Sequence, residues 1–344
     1  MIPLLVVVCV VIVVWLLCIL LSKPSSKFYV LDDPTHRSLH DVAKPRTGGI
    51  AIFSIILIAI AWLGVIFNQD KERFIYYLLV GMCLLAVISY LDDRYSISQI
   101  WRLITHFVAA LLLVIGGLGI SANENSISGF SDNSFVLNTF TVLIIVWMVN
   151  LFNFMDGMDG LAGGMGLIGF SCLAWLGWFA GDNFYMLMSL IVAAANFGFL
   201  LYNFPPAKIF MGDVGSITMG YLVAFFSLWG MHLNLFAWWA PILIFSPFIV
   251  DATTTLVRRL LCREKIWEAH KSHYYQKLVQ NGWGHRKTAI FEYILMISVA
   301  FSVVFLQIDN NADLIMHFLL FWSLTYTLII LFISCLKTKS GDLH

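Results

Sequence analysis

About eleven apolar runs punctuate the chain, each near the length a helix needs to cross the hydrocarbon of a bilayer. They fall at 3–21, 47–67, 74–91, 103–120, 136–154, 161–180, 184–203, 216–233, 235–256, 288–307 and 312–335. Nothing constrains the fold more. Hydrocarbon offers no water to pair backbone N–H and C=O groups, so each run has to be a helix that satisfies its own backbone. The connections are too short to hold a separate soluble domain. The expectation is one all-α, polytopic integral membrane domain over residues 1–344. Its polar loops lie at about 22–46, 92–102, 155–160, 204–216 and 257–287. A mean hydropathy of +0.87 and 12% charged residues exclude an ordinary soluble globule. The first run has no Lys or Arg before it and no small-residue cleavage motif after it, so it reads as a retained helix rather than a cleaved signal.

Basic residues set the orientation. With the N-terminus outside, all of the 20 Lys and Arg except Lys71 and Arg73 fall in inner connections. The reading is therefore N-terminus outside and C-terminus inside. The six Cys (9, 18, 83, 172, 262, 335) show no CxxC spacing and read as small apolar packing residues. A net charge of zero says nothing about partners.

On this topology five polar clusters share the inner face. They are DDPTHRSLHDVAKPRTGGI (32–50), YLDDRYSIS (90–98), NLFNFMDGMDG (150–160), AKIFMGDVGS (207–216) and EAHKSHYYQKL (268–278). The outer loops are chemically plain. Each cluster has a bland reading: Asp92–Asp93 as a solvated helix end, Asp213 as a turn residue, His270 and His273 as interfacial side chains. Carboxylates beside a membrane are costly unless paired or functional, and all the bland readings would have to hold together on one face. Asn150, Asn153, Asp156 and Asp159 step by three, so on a helix each lies about 60° round from the last. They form a fan that cannot converge on one atom, and Gly157 and Gly160 are placed to break the helix and widen it.

Five carboxylates, Asp92, Asp93, Asp156, Asp159 and Asp213, would repel one another without cations. Mg²⁺ favours one or two carboxylates together with waters and substrate phosphates. The flanking glycines, Gly212 and Gly215 among them, allow close backbone approach to a ligand. Ser216 is placed to cap the eighth helix, whose amides favour an anion. Arg102, Lys208, His270 and His273 add positive charge. Acids, a divalent cation and bases at the inner boundary suit phosphoryl transfer between a soluble nucleotide and a lipid. No GxxxxGK[ST] motif is present, which gives no support to a P-loop.

The segments YLDD, NLFNFMDGMDGLAGG, FMGDVGS and HKSHYYQKL, in this order and topology, resemble the polyprenyl-phosphate N-acetylhexosamine-1-phosphate transferases over residues 30 to 290 or so. RSLHDVAKPRTGGI looks like the branch that initiates O-antigen and related surface glycans. The branch acting on phospho-N-acetylmuramoyl-pentapeptide carries three consecutive His in the last inner loop. Here only His270 and His273 stand there, separated by Lys271 and Ser272. The resemblance implies transfer of N-acetylhexosamine-1-phosphate from a UDP-sugar to undecaprenyl phosphate, with release of UMP. It implies Asp92 and Asp93 as the catalytic pair, and Asn153 and Asp213 as ligands of Mg²⁺, with Mn²⁺ as an alternative. Asp159 would recognise uracil and Asp156 support the same pocket. Arg102, His270 and His273 would hold the diphosphate. The implied setting is a bacterial cytoplasmic (inner) membrane with the active site facing the cytoplasm. The implied partners are the UDP-sugar, undecaprenyl phosphate and membrane lipid, with a homodimer compatible and no nucleic acid. The sugar itself stays open.

Two rivals come from other classes. A cation-coupled transporter would use intramembrane acids near the midplane, where only Asp251 falls. An intramembrane aspartyl protease would use one acid pair sharing a proton, not five acids among basic residues. Asp251 itself reads as functional by position, or as structural, paired with Arg258 or Arg259 or bonded to Thr253–Thr255. The basic and aromatic stretch 258–278 reads as an interfacial segment or as a plain inner linker.

Overall fold

A computed structural model describes residues 2–34, 38–66, 74–120, 133–265, 270–309 and 311–336. The chain is built from helices α1 (Ile2–Leu21), α2 (Gly48–Ile66), α3 (Phe74–Tyr95), α4 (Gln99–Ile115), α5 (Ser134–Phe154), α6 (Leu161–Phe179), α7 (Asn183–Asn203) and α8 (Gly212–His232). There follow α9 (Trp239–Ile244), α10 (Ser246–Leu261), α11 (Tyr274–Leu278), a π turn over Val279–Trp283, α12 (Gly284–Asp309) and α13 (Ala312–Cys335). Each expected apolar run has helix at its core. Eight helical stretches among the described residues are long and apolar enough to cross a membrane, and the apolar parts of α2 and α4 are shorter. Arg37, Lys71, Arg73, Lys337 and Lys339, used above for orientation, and Glu268 lie outside the described residues.

The ninth run departs from expectation. Residues 235–256 are not one helix: the chain breaks at Phe245, and Pro247 sits in the first turn of α10. A break at this depth needs its polar groups satisfied inside protein. Ser246 Oγ donates to the Leu243 carbonyl at 2.7 Å and shares a hydrogen bond with Tyr326 Oη at 2.6 Å.

Helix α8 lies at the centre, nearly enclosed along its length, whereas α1 and α13 keep most of their surface outward. Lipid tails are as apolar as Leu, so helix association in a membrane rests on close packing rather than on the hydrophobic effect. The seam between α2 and α8 shows how close. A Cβ on Gly49 would lie 2.2 Å from the Gly215 backbone nitrogen, so no side chain fits. In front of that seam, a two-stranded antiparallel ribbon, β1 (Leu31–Asp32) and β2 (Lys44–Pro45), brings the first polar loop inward. Backbone bonds stitch it to the loop before α8: Phe210 N–H to Pro45 O at 2.8 Å, Gly48 N–H to Phe210 O at 2.9 Å and Gly49 N–H to Met211 O at 2.8 Å.

Two further expectations are corrected. Helix α8 begins at Gly212, four residues before Ser216, so Ser216 is not its cap; its hydroxyl donates instead to the Gly212 carbonyl at 3.2 Å. The stretch 258–278 does not lie on an interface as a unit. Its last part is α11, where Tyr274, Tyr275, Gln276 and Leu278 are buried in the protein.

Candidate active site

The hairpin α3–α4 carries the first acids. Asp92 is the acceptor of a short bond from Arg102 Nη1, at 2.6 Å, and the other arm of the same guanidinium lies 3.1 Å from Asp213 Oδ2 on α8. Asp93 is buried, 3.4 Å from Arg46 Nη1, and Arg46 Nη2 also donates to the Asp93 carbonyl. The remaining reach of Arg46 is 3.8 Å to Asp32. Gly212 opens α8 with φ +70, a conformation that favours glycine. A Cβ there would sit 2.4 Å from the Arg46 carbonyl and 3.3 Å from Asp93 Oδ2. Thus Asp92 and Asp93 from one loop and Asp213 from another share one space held by two guanidinium groups.

The Asn/Asp ladder divides as its glycines suggest. Asn150 and Asn153 stand on the last turns of α5, which ends at Phe154, and Asp156 and Asp159 occupy the turn before α6. Gly160, at φ +79, is the cap from which α6 starts. Asn150 turns back to donate to the Val146 carbonyl at 2.7 Å. Asn153 Oδ1 accepts from Ser216 Oγ at 3.3 Å, which brings it to the first turn of α8 beside Asp213. Asp156 is half-buried. Burial, with Asp213, Asp93 and Asp32 around it, pushes its carboxyl well above the usual carboxylate range.

Asp159 faces elsewhere. Its Oδ2 accepts from the Ala207 amide at 2.9 Å and lies 3.5 Å from Lys44 Nζ, and its Oδ1 lies 3.2 Å from His285 Nδ1. Burial acts to raise its pKa, but His285, the Ala207 amide and Lys44 together hold it below the ordinary value. His285 Nε2 donates to the Leu39 carbonyl at 3.1 Å. Lys44 also sits 5.0 Å from the centre of the Phe210 ring. Asn203 braces this pocket, accepting from Gly160 N–H at 2.9 Å and donating to Ile209 O at 2.8 Å.

The histidine loop docks against the end of α5. Tyr275 Oη donates to the Phe154 carbonyl at 3.2 Å, and the rings of His273 and Phe154 lie 6.3 Å apart. His273 is buried, with Nδ1 3.1 Å from Asp251 Oδ1. His270 stands one ring further out, 4.9 Å from His273, and its Nδ1 is 2.9 Å from Ser272 Oγ. Burial, with His273, Arg259 and Arg258 nearby, pulls His270 down to about 4, so it is neutral at pH 7. Lys208 does not join the cluster; it is exposed and lies over the Tyr202 ring at 5.3 Å.

The sequence profile described as Glycosyl transferase family 4 matches residues 75–231, which span α3 to α8 and carry all the acids discussed except Asp32 and Asp251. A Bacillus subtilis (strain 168) protein, "Probable undecaprenyl-phosphate N-acetylglucosaminyl 1-phosphate transferase", is 31% identical over 303 residues, covering 86% of this chain and 84% of that one. The chain belongs to the polyprenyl-phosphate hexosamine-1-phosphate transferase family. A family member from Thermotoga maritima, "Undecaprenyl-phosphate alpha-N-acetylglucosaminyl 1-phosphate transferase", is 29% identical over 291 residues, 83% of this chain and 82% of its own. A "Phospho-N-acetylmuramoyl-pentapeptide-transferase" of Lactobacillus johnsonii is 25% identical over 281 residues, 77% of this chain and 84% of its own. The protein is accordingly a multi-pass membrane phosphotransferase.

Several residues of the candidate site carry no mark in the sequence alone. Lys44 and Arg46 read there only as topology signals, yet each meets an acid more than 40 positions away. His285 and Asn203 sit in no acidic motif. The signal that could have found Lys44 and Arg46 is their spacing two residues apart, just ahead of the paired glycines Gly48 and Gly49.

Proposed function

We propose that this protein transfers N-acetylhexosamine-1-phosphate from a UDP-linked donor to undecaprenyl phosphate, releasing UMP. The observation that carries the reading is the convergence of Asp92, Asp93 and Asp213 on Arg102 and Arg46, beside Asn153 and Asp156. The names of the relatives from B. subtilis and T. maritima support N-acetylglucosamine as the sugar. Lack of three consecutive His in the last loop argues against a peptide-bearing donor. By the distribution of basic residues the site faces the cytoplasm at the inner membrane, where it would begin O-antigen or a related surface polysaccharide. A homodimer is compatible with this reading.

Among the described residues no group of three or more His, Cys, Asp or Glu could hold a metal ion unaided. Mg²⁺ asks for less: one or two hard oxygen ligands, with waters and phosphate completing the shell. Asp213 and Asn153 offer such oxygens on neighbouring helices, and the Arg102 guanidinium held between Asp92 and Asp213 supports reading this space as one that suits a cation. The residues fit, with Asp213 and Asn153 as holders. When bound, Mg²⁺ neutralises charge on the diphosphate.

In the reaction, an oxygen of the lipid phosphate attacks the β-phosphorus of the donor. The bond from that phosphorus to the bridging oxygen breaks, and UMP leaves with the α-phosphate. Asp92 and Asp93 hold the attacking phosphate and take its remaining proton. Arg102 and Arg46 keep the acids apart and meet the phosphate charge, so positioning and electrostatics supply most of the rate. Asp159, with Lys44, forms the nucleoside side of the site, and His273 faces the diphosphate. Purified protein in detergent, given UDP-N-acetylglucosamine, Mg²⁺ and undecaprenyl phosphate, should release UMP only when both substrates are present. Absence of UMP with every UDP-N-acetylhexosamine tried would sink the proposal.

A further inference from the structure

Asp251 is the one acid on α10, buried in the middle of the chain's broken ninth span. Its expected partners are mostly absent. Arg259 meets Glu264 at 3.2 Å and Arg258 donates to the Ser272 carbonyl at 3.2 Å. Of the threonines that follow it, Thr255 reaches it, donating to Oδ1 at 3.2 Å. The other bonds come from the histidine loop. Oδ1 accepts from Tyr274 N–H at 3.0 Å and lies 3.1 Å from His273 Nδ1, and Oδ2 accepts from Tyr275 N–H at 2.9 Å.

We infer that Asp251 is a positioning residue for the transfer reaction, which holds His273 by Nδ1 so that Nε2 is presented to the donor diphosphate. Both Asp251 oxygens already accept from amide or hydroxyl donors, so in this contact Nδ1 is the donor and Nε2 is left as the working nitrogen. The same carboxylate binds the first amides of α11, so ring orientation and loop position are set by one group. The ring has no freedom to turn away: Tyr275 stacks behind it at 5.7 Å and 19°, and Phe154 stands at 6.3 Å. Phe154 adjoins Asn153 and is two residues from Asp156, so the held ring borders the acidic space. A carboxylate that orients a metal-ligating His typically contributes about 10–100-fold, and a similar size is expected for the His273 contact. The inference rests on the transferase reading and on the assignment of His273 to the diphosphate.

A double-mutant cycle on the full-length protein, read as UMP release, tests it. Asp251→Asn should lower kcat about 10–100-fold while the KM for undecaprenyl phosphate stays within about twofold. His273→Ala should lower kcat at least as far. Adding Asp251→Asn to His273→Ala should then cost less than about twofold more, because the group it positions is gone. Asp251→Glu keeps the charge and should restore part of the rate in the His273 background only; it also serves if Asp251→Asn is not recovered folded. A purely structural helix cap predicts multiplying losses in both backgrounds, and that result overturns the proposal. An unchanged rate for His273→Ala overturns it too, while leaving transfer intact. A parent protein that releases no UMP is the distinct failure of the transferase reading itself.

Discussion

Asp156 and Asp159 stand three residues apart in one turn and lie in opposite electrostatic worlds. Asp159 has a lysine, a histidine and a backbone amide for its two oxygens. Asp156 has other carboxylates, and its pKa is driven up where that of Asp159 is held down. Environments that push two like groups apart assign them different tasks. The neutralised acid is built to be a fixed hydrogen-bond acceptor. The crowded one belongs to a space that wants positive charge from outside the chain.

The largest effect that would break this comparison lies on the crowded side. Asp213→Asn should abolish UMP release while the protein stays folded and inserted, because it removes charge where Mg²⁺ is proposed to bind. A normal rate with normal Mg²⁺ dependence would remove Asp213 from the metal site. Next, Asp92→Asn or Asp93→Asn should lower kcat by about 10²–10⁴-fold. With direct attack by the lipid phosphate, the parent given UDP-sugar alone releases no burst of UMP. A stoichiometric burst that vanishes with these substitutions would instead establish a covalent phosphosugar on an aspartate.

On the neutralised side effects should be smaller. Lys44→Ala leaves Asp159 with its amide and His285, and should raise the KM for the UDP-sugar by about 10-fold, or about 1.4 kcal/mol, with kcat less affected. An unchanged KM would detach this pocket from the nucleotide. The smallest effect concerns stability against pH. The Asp156 pKa is raised on folding, so its charge opposes the fold, increasingly as pH rises from the ordinary 3.8 through the folded value. Asp156→Asn should therefore raise Tm at pH 8, by about 2 °C, and the gain should shrink toward pH 4. Asp159 has the opposite sign: its contribution is present above 3.8 and is lost as pH falls through its lower folded value. Asp159→Asn should therefore lower Tm at pH 8. Thermal unfolding of both variants across this range would show whether the two acids differ as the geometry says.

Much of the architecture could be read from residue pattern, because hydrocarbon leaves a chain few choices. The apolar runs became helices, and Gly157 and Gly160 did lie where α5 gives way to α6. The ninth run reads as continuous by hydropathy, yet Pro247 stands inside it and the helix breaks at Phe245. A proline near the start of α10 needs only that one turn to be freed, and hydropathy does not register it. The acids of the site were legible because charge beside lipid is costly. Their partners were not. Arg46 and Lys44 look like any inner-loop cations until the ribbon folds them onto Asp93 and Asp159. Ser216 has the composition of a cap, but the local bonds of Gly212 start the helix earlier. Lone polar residues such as Asn203 and His285 acquire meaning only from tertiary contacts.

The Gly49–Gly215 contact has a kinetic consequence for substrate. With no side chain between them, and with Gly48 and Gly49 bonded to the strand of chain ahead of α8, Arg46 and Asp213 belong to one rigid body. The Arg46 backbone is fixed against the start of α8 when the protein folds, and its guanidinium is held by Asp93 and Asp32, so their ordering entropy is already spent. On the proposed function, a donor diphosphate would meet a preset clamp and lose only its own freedom in binding. Such preorganisation converts binding into alignment of reacting atoms. A single methyl group on either glycine would force α2 away from α8, and on the proposed function it would loosen this clamp and slow transfer without touching a catalytic side chain.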